Sequence, residues 1–317
     1  MNVLVIDCNR MGAGPPMDPA TRLPTLTNPK WRAVKLFADA AEADLTWRSS
    51  KTTETPVLTG YDVLVFSRAL PSPKDNAIWL DANPTARVFH LTNDYRVGGG
   101  SLYLAARALG RPVETIANYP HAMSRVAGQL TAKWHVANLN TLLYEPERQQ
   151  NGHAPGKGCV YYGAARPDRQ TIFQKYLTGQ VTVAQYPPVW TEFEAFGCTG
   201  PWAARVDWGT DGLYPWAAAI YLENPDQTAL GGTPFFANRF YETLSYDRWP
   251  IFAAECRQTI RQSGYQIPET AIVDDPAQIP EAVAAADTAQ IAAWRAEAAE
   301  EQRAALAQMR SIIRGTE

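Results

Sequence analysis

Short apolar runs alternate with amphipathic stretches along most of the chain. In the first half, runs rich in β-branched residues and bounded by Gly, Pro, Asn or Asp predict strands at residues 3–7, 43–47, 61–67, 86–91, 113–117 and 135–140. Apolar positions at helical spacing predict helices at residues 31–43, 76–82 and 101–110. This repeated strand–helix–strand order is typical of a parallel sheet with helices on both faces.

The polar segment 145–158, which contains Gly and Pro, predicts a linker. The alternation of predicted strands and helices continues after it. We expect strands at residues 158–163, 181–186, 203–208, 216–223 and 250–254, and helices at 168–179, 238–247 and up to about 263. An Ala-rich stretch over 280–313 predicts one long amphipathic helix, which packs along the protein or forms an oligomer interface.

The predicted fold is therefore α/β, with two Rossmann-like domains that face a cleft and a long C-terminal helix. We expect one domain at residues 1–145, a second at 158–280 and the amphipathic helix at 281–317.

The composition excludes three classes of protein. Of the 317 residues, 46% are hydrophobic and 19% are charged, four are Cys, and no run of about 18 apolar residues occurs. Disordered, disulfide-stapled and membrane-spanning proteins do not fit these values. Because an apolar strand follows Met1 directly and the cysteines are widely spaced, we expect a cytoplasmic protein with reduced thiols and no membrane partner.

The net charge of −3 is unevenly distributed. Residues 1–150 hold 16 Lys and Arg against 13 Asp and Glu, whereas the remainder holds 13 against 19. Only the first half therefore carries a net positive charge, of +3, that favours an anionic partner.

The segment 234–254 carries the clearest chemical pattern. It places Asn238 and Arg239 at the start of a helix and Glu242 in its first turn, before an apolar strand. It resembles the donor-binding segment of nucleotide-sugar glycosyltransferases of the GT-B type. The resemblance implies that the domain at 1–145 binds the acceptor and that the domain at 158–280 binds the nucleotide sugar. The resemblance implies that the helix N-terminus and Arg239 hold the diphosphate and that Glu242 accepts hydrogen bonds from the ribose hydroxyls. A surface ion pair between Arg239 and Glu242 is the alternative.

Two further segments agree with this resemblance. In 158–177, Gly163 follows a strand and Arg166 and Arg169 open a helix, as in the loop that reaches the donor phosphates of such enzymes. In 208–228, Tyr214 lies in a Gly-containing loop that resembles the one contacting the donor sugar or base. The alternatives are solvated arginines and an aromatic packing role for Tyr214.

In the first half, polar residues follow the predicted strands. Asp7 ends the first strand. Pro15 and Pro16 follow Gly12 and Gly14 where a dinucleotide-binding fingerprint needs two residues and a third glycine, which disfavours a dehydrogenase. We expect Asp94 to act as general base, or alternatively to cap the loop, and expect the acceptor to contact Asp7, Arg10, Asn93, Tyr95 and Arg96.

Several other chemistries are disfavoured. No P-loop, no zinc-ligand spacing and no D-x-D triplet occurs, so we expect no metal and no cofactor. The resemblance implies a metal-independent hexosyl- or pentosyltransferase with a UDP-sugar donor. Whether transfer inverts or retains the anomeric configuration stays open.

The size and the mildly basic first half resemble the small phage enzymes that glycosylate hydroxymethylated pyrimidines in DNA. This resemblance implies double- or single-stranded DNA as partner, in the host cytoplasm, and a base flipped out of the stack. The expected DNA contacts are Arg10, Arg22, Lys30, Trp31, Arg32, Tyr95 and Arg96. A bacterial glycan or small metabolite as acceptor, and a non-catalytic nucleotide-binding module, are the alternatives.

Overall fold

The computed structural model describes residues 1–9, 29–49, 57–67, 72–92, 100–118, 130–148, 156–208, 210–223 and 235–316. The chain divides into two compact units. Unit 1 consists of Met1–Leu143 and Glu300–Glu317, and unit 2 of Tyr144–Ala299. The domain boundaries expected from the sequence stay predictions.

Unit 1 contains a parallel sheet of six strands in the order β2-β1-β3-β4-β5-β6. The strands are β1 (Val3–Asn9), β2 (Asp44–Ser49), β3 (Val63–Phe66), β4 (Arg87–Thr92), β5 (Val113–Ala117) and β6 (Thr131–Val136). Every strand pair in it is parallel. β3 is buried along its whole length, as expected for an apolar strand covered on both faces.

Helices flank this sheet and bury its two faces in separate cores. They are α1 (Pro29–Ala40), α2 (Pro73–Ala82), α3 (Gly100–Ala108) and a 3-10 turn at Leu139–Leu143. One core contains Phe37 of α1, and the other contains Trp79 of α2 and Tyr103 of α3. The Ser72 hydroxyl caps α2 by accepting from the Lys74 N–H, and Pro73 occupies the first helical position.

Unit 2 contains a second parallel sheet of six strands, in the order β9-β8-β7-β10-β11-β12. The strands are β7 (Cys159–Tyr161), β8 (Thr178–Ala184), β9 (Gly200–Ala203), β10 (Ala218–Tyr221), β11 (Trp249–Ala253) and β12 (Ile272–Val273). Counted within the unit this order is 3-2-1-4-5-6, that of nucleotide-binding Rossmann sheets. The strand order therefore reverses between β7 and β10.

The helices of unit 2 are α4 (Gln170–Tyr176), α5 (Pro187–Ala195), α6 (Asn238–Ser245), α7 (Arg257–Ser263) and α8 (Ile279–Ala284). Short 3-10 turns lie at Pro167–Arg169, Ala254–Cys256, Glu269–Ala271 and Pro276–Gln278. Phe173 of α4 and Phe240 of α6 belong to the main core, which is rich in aromatic side chains.

The C-terminal helix α9 (Thr288–Arg314) contributes to the core of each unit. Trp294 is buried in the unit 2 core, whereas Met309 and Ile313 are buried in the unit 1 core. The one continuous helix expected over 280–313 is corrected: α8 ends at Ala284, and Asp287 starts α9 by accepting from the Ala289 N–H at 2.8 Å. Across the described ranges, no helix combines the length and apolarity needed to cross a membrane.

The α/β class, the two Rossmann-like units and the long C-terminal helix are confirmed. Two strand predictions are wrong in position. The strand expected at 203–208 is β9, which ends at Ala203, and the one expected at 135–140 is β6, which ends at Val136. In both cases the pairing ends before the charged or Asn-rich residues that follow. α5 has no counterpart among the predicted helices.

Candidate functional site

The carboxyl ends of β7 and β10 form the point in unit 2 where the strand order reverses. In open α/β sheets, ligands bind outside the carboxyl ends of strands at such a switch point. Tyr162 and Gly163 follow β7, and Leu222 and Glu223 follow β10. Two more elements contribute to this position, the helix α6 and the 3-10 turn at Pro167–Arg169.

Arg239 lies in the first turn of α6 with its guanidinium over the ring of Tyr161, 4.8 Å from the centroid. Its Nη1 atom is buried and has no hydrogen-bond partner in the described parts of the chain. Burial disfavours the charged guanidinium. The surrounding tyrosine hydroxyls and Glu242 favour it more strongly, so the Arg239 pKa is raised above its usual value. The site therefore holds a fixed cation with an unused donor, which suits an anionic ligand.

Gly163 is required for this placement of Arg239. A Cβ at residue 163 would lie 2.4 Å from Tyr161 Oη and 2.5 Å from Arg239 Nη1, so a larger residue would displace these atoms. The Gln185 amide, at the end of β8, donates to the carbonyls of Tyr162 and Gly163 at 2.9 and 3.0 Å and fixes the backbone there.

Polar groups surround the start of α6. The N–H of Ala237 donates to the Tyr221 hydroxyl at 2.6 Å, and Asn238 is the first helical residue. The Tyr162 hydroxyl donates to the Arg239 carbonyl at 3.2 Å. Burial, followed by the nearby Glu242 carboxylate, raises the Tyr162 pKa well above its usual value. Glu242 thus lies beside Tyr162 as a half-buried acceptor.

Arg166 and Arg169 take different positions. Arg169 is buried, its Nη1 donates to the Leu222 carbonyl at 3.4 Å, and its Nε has no hydrogen-bond partner within the described residues. Arg166 is half-buried at the residue before the 3-10 turn. The contact with the Leu222 carbonyl brings Arg169 to the end of β10. Leu222 immediately precedes Glu223 in the sequence.

Sequence reasoning missed Glu223. Glu223 is 3% exposed, and neither carboxylate oxygen makes a hydrogen bond of regular geometry among the described residues, although the Thr259 hydroxyl lies close enough to interact with it. Burial raises the Glu223 pKa from 4.5 to about 7, against the opposing effects of Thr259 and Arg169. The only signal in the sequence is a glutamate at the end of an apolar run.

Tyr214 lies in an aromatic cluster with Tyr246 and Trp208, which contacts the site through Tyr162. Its ring packs edge-on to Tyr246 at 4.9 Å between centroids, and Trp208 contacts both Tyr246 and Tyr162. Because Tyr214 is only 5% exposed, its side chain serves the packing of this loop. A donor-binding role for Tyr214 stays a prediction.

In unit 1, Asp7 is fully buried near the carboxyl end of β1 and accepts a hydrogen bond from Ser67, which follows β3. The strand order of this sheet also reverses at β1 and β3, since β2 lies on the other side of β1. Asp94, Arg10, Asn93, Tyr95 and Arg96 lie outside the described residues. Their roles stay predictions.

The described residues contain no group of three His, Cys, Asp or Glu side chains that could hold a metal ion. Cys159, Cys198 and Cys256 are free and buried. The site in unit 2 is thus made of arginines, tyrosines, carboxylates and backbone groups.

The structure is similar to that of the DNA-modifying enzyme β-glucosyltransferase, which was solved in the presence and absence of its substrate uridine diphosphoglucose. The match has a TM-score of 0.66 and 12% sequence identity, and covers 96% of this chain and 98% of the other. No protein-family model matches the sequence, and no curated protein matches it significantly. The two proteins share their fold over nearly their whole lengths.

Proposed function

We propose that the protein is a glycosyltransferase that moves a sugar from a uridine diphosphate sugar to the hydroxyl group of a hydroxymethylated pyrimidine in DNA. The observation that carries the proposal is the unpartnered Arg239 Nη1 atom beside Gly163 and α6, at the switch point of a sheet whose fold is shared with a DNA-modifying glucosyltransferase. Glucose is the first sugar to test, because uridine diphosphoglucose is the substrate of that neighbour.

The residues of unit 2 supply what a diphosphate leaving group needs. Arg239 and Arg169 provide positive charge with unused donor atoms, and Arg166 lies at the start of the same 3-10 turn as Arg169. The N-terminal N–H groups of α6, at Asn238 and Arg239, add a favourable dipole. Glu242 is the acceptor for the ribose hydroxyls. These groups stabilise the charge that develops on the diphosphate as its bond to the sugar breaks.

The transfer step needs a base as well. In it the acceptor oxygen forms a bond to the anomeric carbon, the bond from that carbon to the β-phosphate oxygen breaks, and the electron pair leaves with the diphosphate. The hydroxyl proton passes to Asp94, the proposed general base. Asp7, Arg10, Asn93, Tyr95 and Arg96 are proposed to hold the acceptor, and the net charge of +3 on residues 1–150 favours DNA over a neutral acceptor.

The test supplies uridine diphosphoglucose, and then other nucleotide sugars, together with DNA that contains 5-hydroxymethylcytosine or 5-hydroxymethyluracil. We expect digested nucleosides that have gained the mass of one sugar, and none from unmodified DNA, which lacks the hydroxyl. Sugar transfer only to a free glycan or metabolite would refute the DNA acceptor. Nucleotide binding without transfer to any acceptor would support a binding module.

A further inference from the structure

Glu223 is a buried carboxyl group with unused hydrogen-bonding capacity at the switch point of unit 2. It follows β10, and both its oxygens are inaccessible. Neither oxygen makes a hydrogen bond of regular geometry among the described residues, although the Thr259 hydroxyl lies close enough to favour the ionised form. A buried carboxylate without hydrogen bonds is costly, so its neutral form is favoured unless a cation lies nearby. The nearby cation is Arg169, whose own Nε also lacks a partner in the same part of the chain.

The other groups around Glu223 do not exchange protons near neutral pH. Cys256, on the 3-10 turn before α7, interacts with Glu223 and donates its thiol to the Tyr221 carbonyl at 3.5 Å. Burial raises the pKa of the Cys256 thiol well above its usual value, so the thiol stays protonated. Thr259 on α7 is neutral. Glu255, the next carboxylate, is paired with Lys175 at 2.9 Å, and its pKa is held below the usual value.

We propose that Glu223 takes up one proton when the donor diphosphate binds at Arg169, so that donor binding is linked to pH. The inference rests on the proposed function, which brings a diphosphate to this site. In the free protein, Arg169 is the charge that favours ionised Glu223. A bound diphosphate compensates Arg169 and adds negative charge beside the carboxylate, and both effects favour the neutral acid.

The linkage has a definite sign. At low pH Glu223 is already protonated, and the diphosphate binds without proton uptake. As the pH rises through the range in which Glu223 ionises in the free protein, binding must first protonate it, and the affinity falls by up to tenfold per pH unit. The diphosphate of a nucleotide sugar keeps its charge across this range, so the ligand does not contribute to the change.

The experiment is calorimetric titration with uridine diphosphoglucose from pH 6 to 8.5, in pairs of buffers with different ionisation enthalpies. We expect the wild type to take up as much as one proton and to lose affinity with rising pH. Glu223→Gln, which resembles the protonated acid, should bind at every pH as tightly as the wild type does at pH 6, without proton uptake. Glu255→Gln removes a neighbouring carboxylate and should keep the uptake of the wild type.

The outcomes separate the inference from the function on which it rests. An affinity of the wild type that does not change with pH, or equal proton uptake by Glu223→Gln, overturns the role of Glu223 while the nucleotide site stands. Absence of binding at pH 6, where Glu223 needs no proton, rejects the nucleotide site and the linkage together.

Discussion

Tyr161 Oη and Arg239 Nη1 converge on one position, since both lie within 2.5 Å of where a Cβ on residue 163 would be. Both atoms are buried without hydrogen-bond partners among the described residues. Two donors that are left unused in the free protein are costly to bury, and the proposed diphosphate ligand would remove this cost by accepting hydrogen bonds from them. The stacking of the guanidinium on the Tyr161 ring holds this arrangement before a ligand arrives.

Replacing Arg239 by alanine should weaken the binding of uridine diphosphoglucose. Loss of a charge-assisted hydrogen bond costs about 1.5–3 kcal/mol, or roughly ten- to a hundredfold in affinity. Calorimetric titration measures the effect. The control is Arg257→Ala, which removes a surface arginine paired with Glu269 and should leave the affinity unchanged. Equal affinities of both variants would rule out Arg239 as a diphosphate ligand.

Tyr161→Phe separates binding from stability. Because the lost hydroxyl has no partner in the described residues, the free protein should become no less stable, and by up to about 1 kcal/mol more stable. The affinity for uridine diphosphoglucose should fall, since one donor to the phosphate is gone. Urea unfolding and titration measure the two effects. A loss of stability without any loss of affinity would show that the hydroxyl serves the fold alone.

Gly163→Ala should displace the Arg239 guanidinium and lower donor affinity as Arg239→Ala does. The added methyl group would contact Tyr161 and Arg239 at less than 3 Å, and relief of such overpacking costs about 1–3 kcal/mol of stability. Gly100→Ala is the matched control, because a Cβ there meets no atom within 4 Å. Wild-type affinity in Gly163→Ala would mean that the guanidinium can shift without consequence for the site.

Glu223 makes the stability of the free protein depend on pH. Its pKa is about 7 in the fold and 4.5 ordinarily, so its contribution is fully present below pH 4.5 and is lost as the pH rises through 7. The loss is on the order of 3 kcal/mol at most. Glu223→Gln does not ionise, so its advantage in unfolding free energy over the wild type should grow from pH 5 to pH 8. An advantage that is the same at both pH values would contradict the raised pKa.

Asp94→Asn should bind the donor normally and lose most of its transfer activity. General-base catalysis contributes on the order of 10²–10⁴ in rate, and an amide cannot take the proton of the acceptor. The release of uridine diphosphate in the presence of acceptor DNA measures the rate, and Asp81→Asn, an exposed change on α2, is the control. Full activity of Asp94→Asn would assign the base to another residue, with Asp7 the next to test.

Local sequence patterns predicted most of the elements but not α5 and not all the ends of the others. The strand predicted at 113–117 matches β5 to the residue, because Gly110 and Pro112 precede it and Asn118 follows it. The segment 203–208 alternates like a strand, yet pairing with β8 ends at Ala203. Whether an alternating segment pairs depends on what lies beside it, and a single sequence does not contain that information.

The candidate site was predictable at positions where the residue type and its place in a helix or strand together indicate ligand binding. Arg239 and Glu242 at a helix start, and Gly163 after a strand, are such positions. Tyr161 and Glu223 were missed, since an aromatic residue within a strand and an acid at its end have ordinary structural explanations. Their significance comes from the sheet, which brings β7 and β10 together although residues 162–217 separate them in sequence.

Unit 1 is formed by two segments of the chain, one before and one after unit 2. This arrangement imposes an order of folding during synthesis. One of the cores of unit 1 contains side chains that follow the whole of unit 2 in the chain: Ala305, Met309, Ile312 and Ile313. Unit 2 is complete in sequence before they appear. Although chains generally fold from the N-terminus as they emerge, unit 1 completes this core only after all residues of unit 2 have been synthesised. A nascent chain stalled before residue 300 would therefore present a finished C-terminal unit and an unfinished N-terminal one.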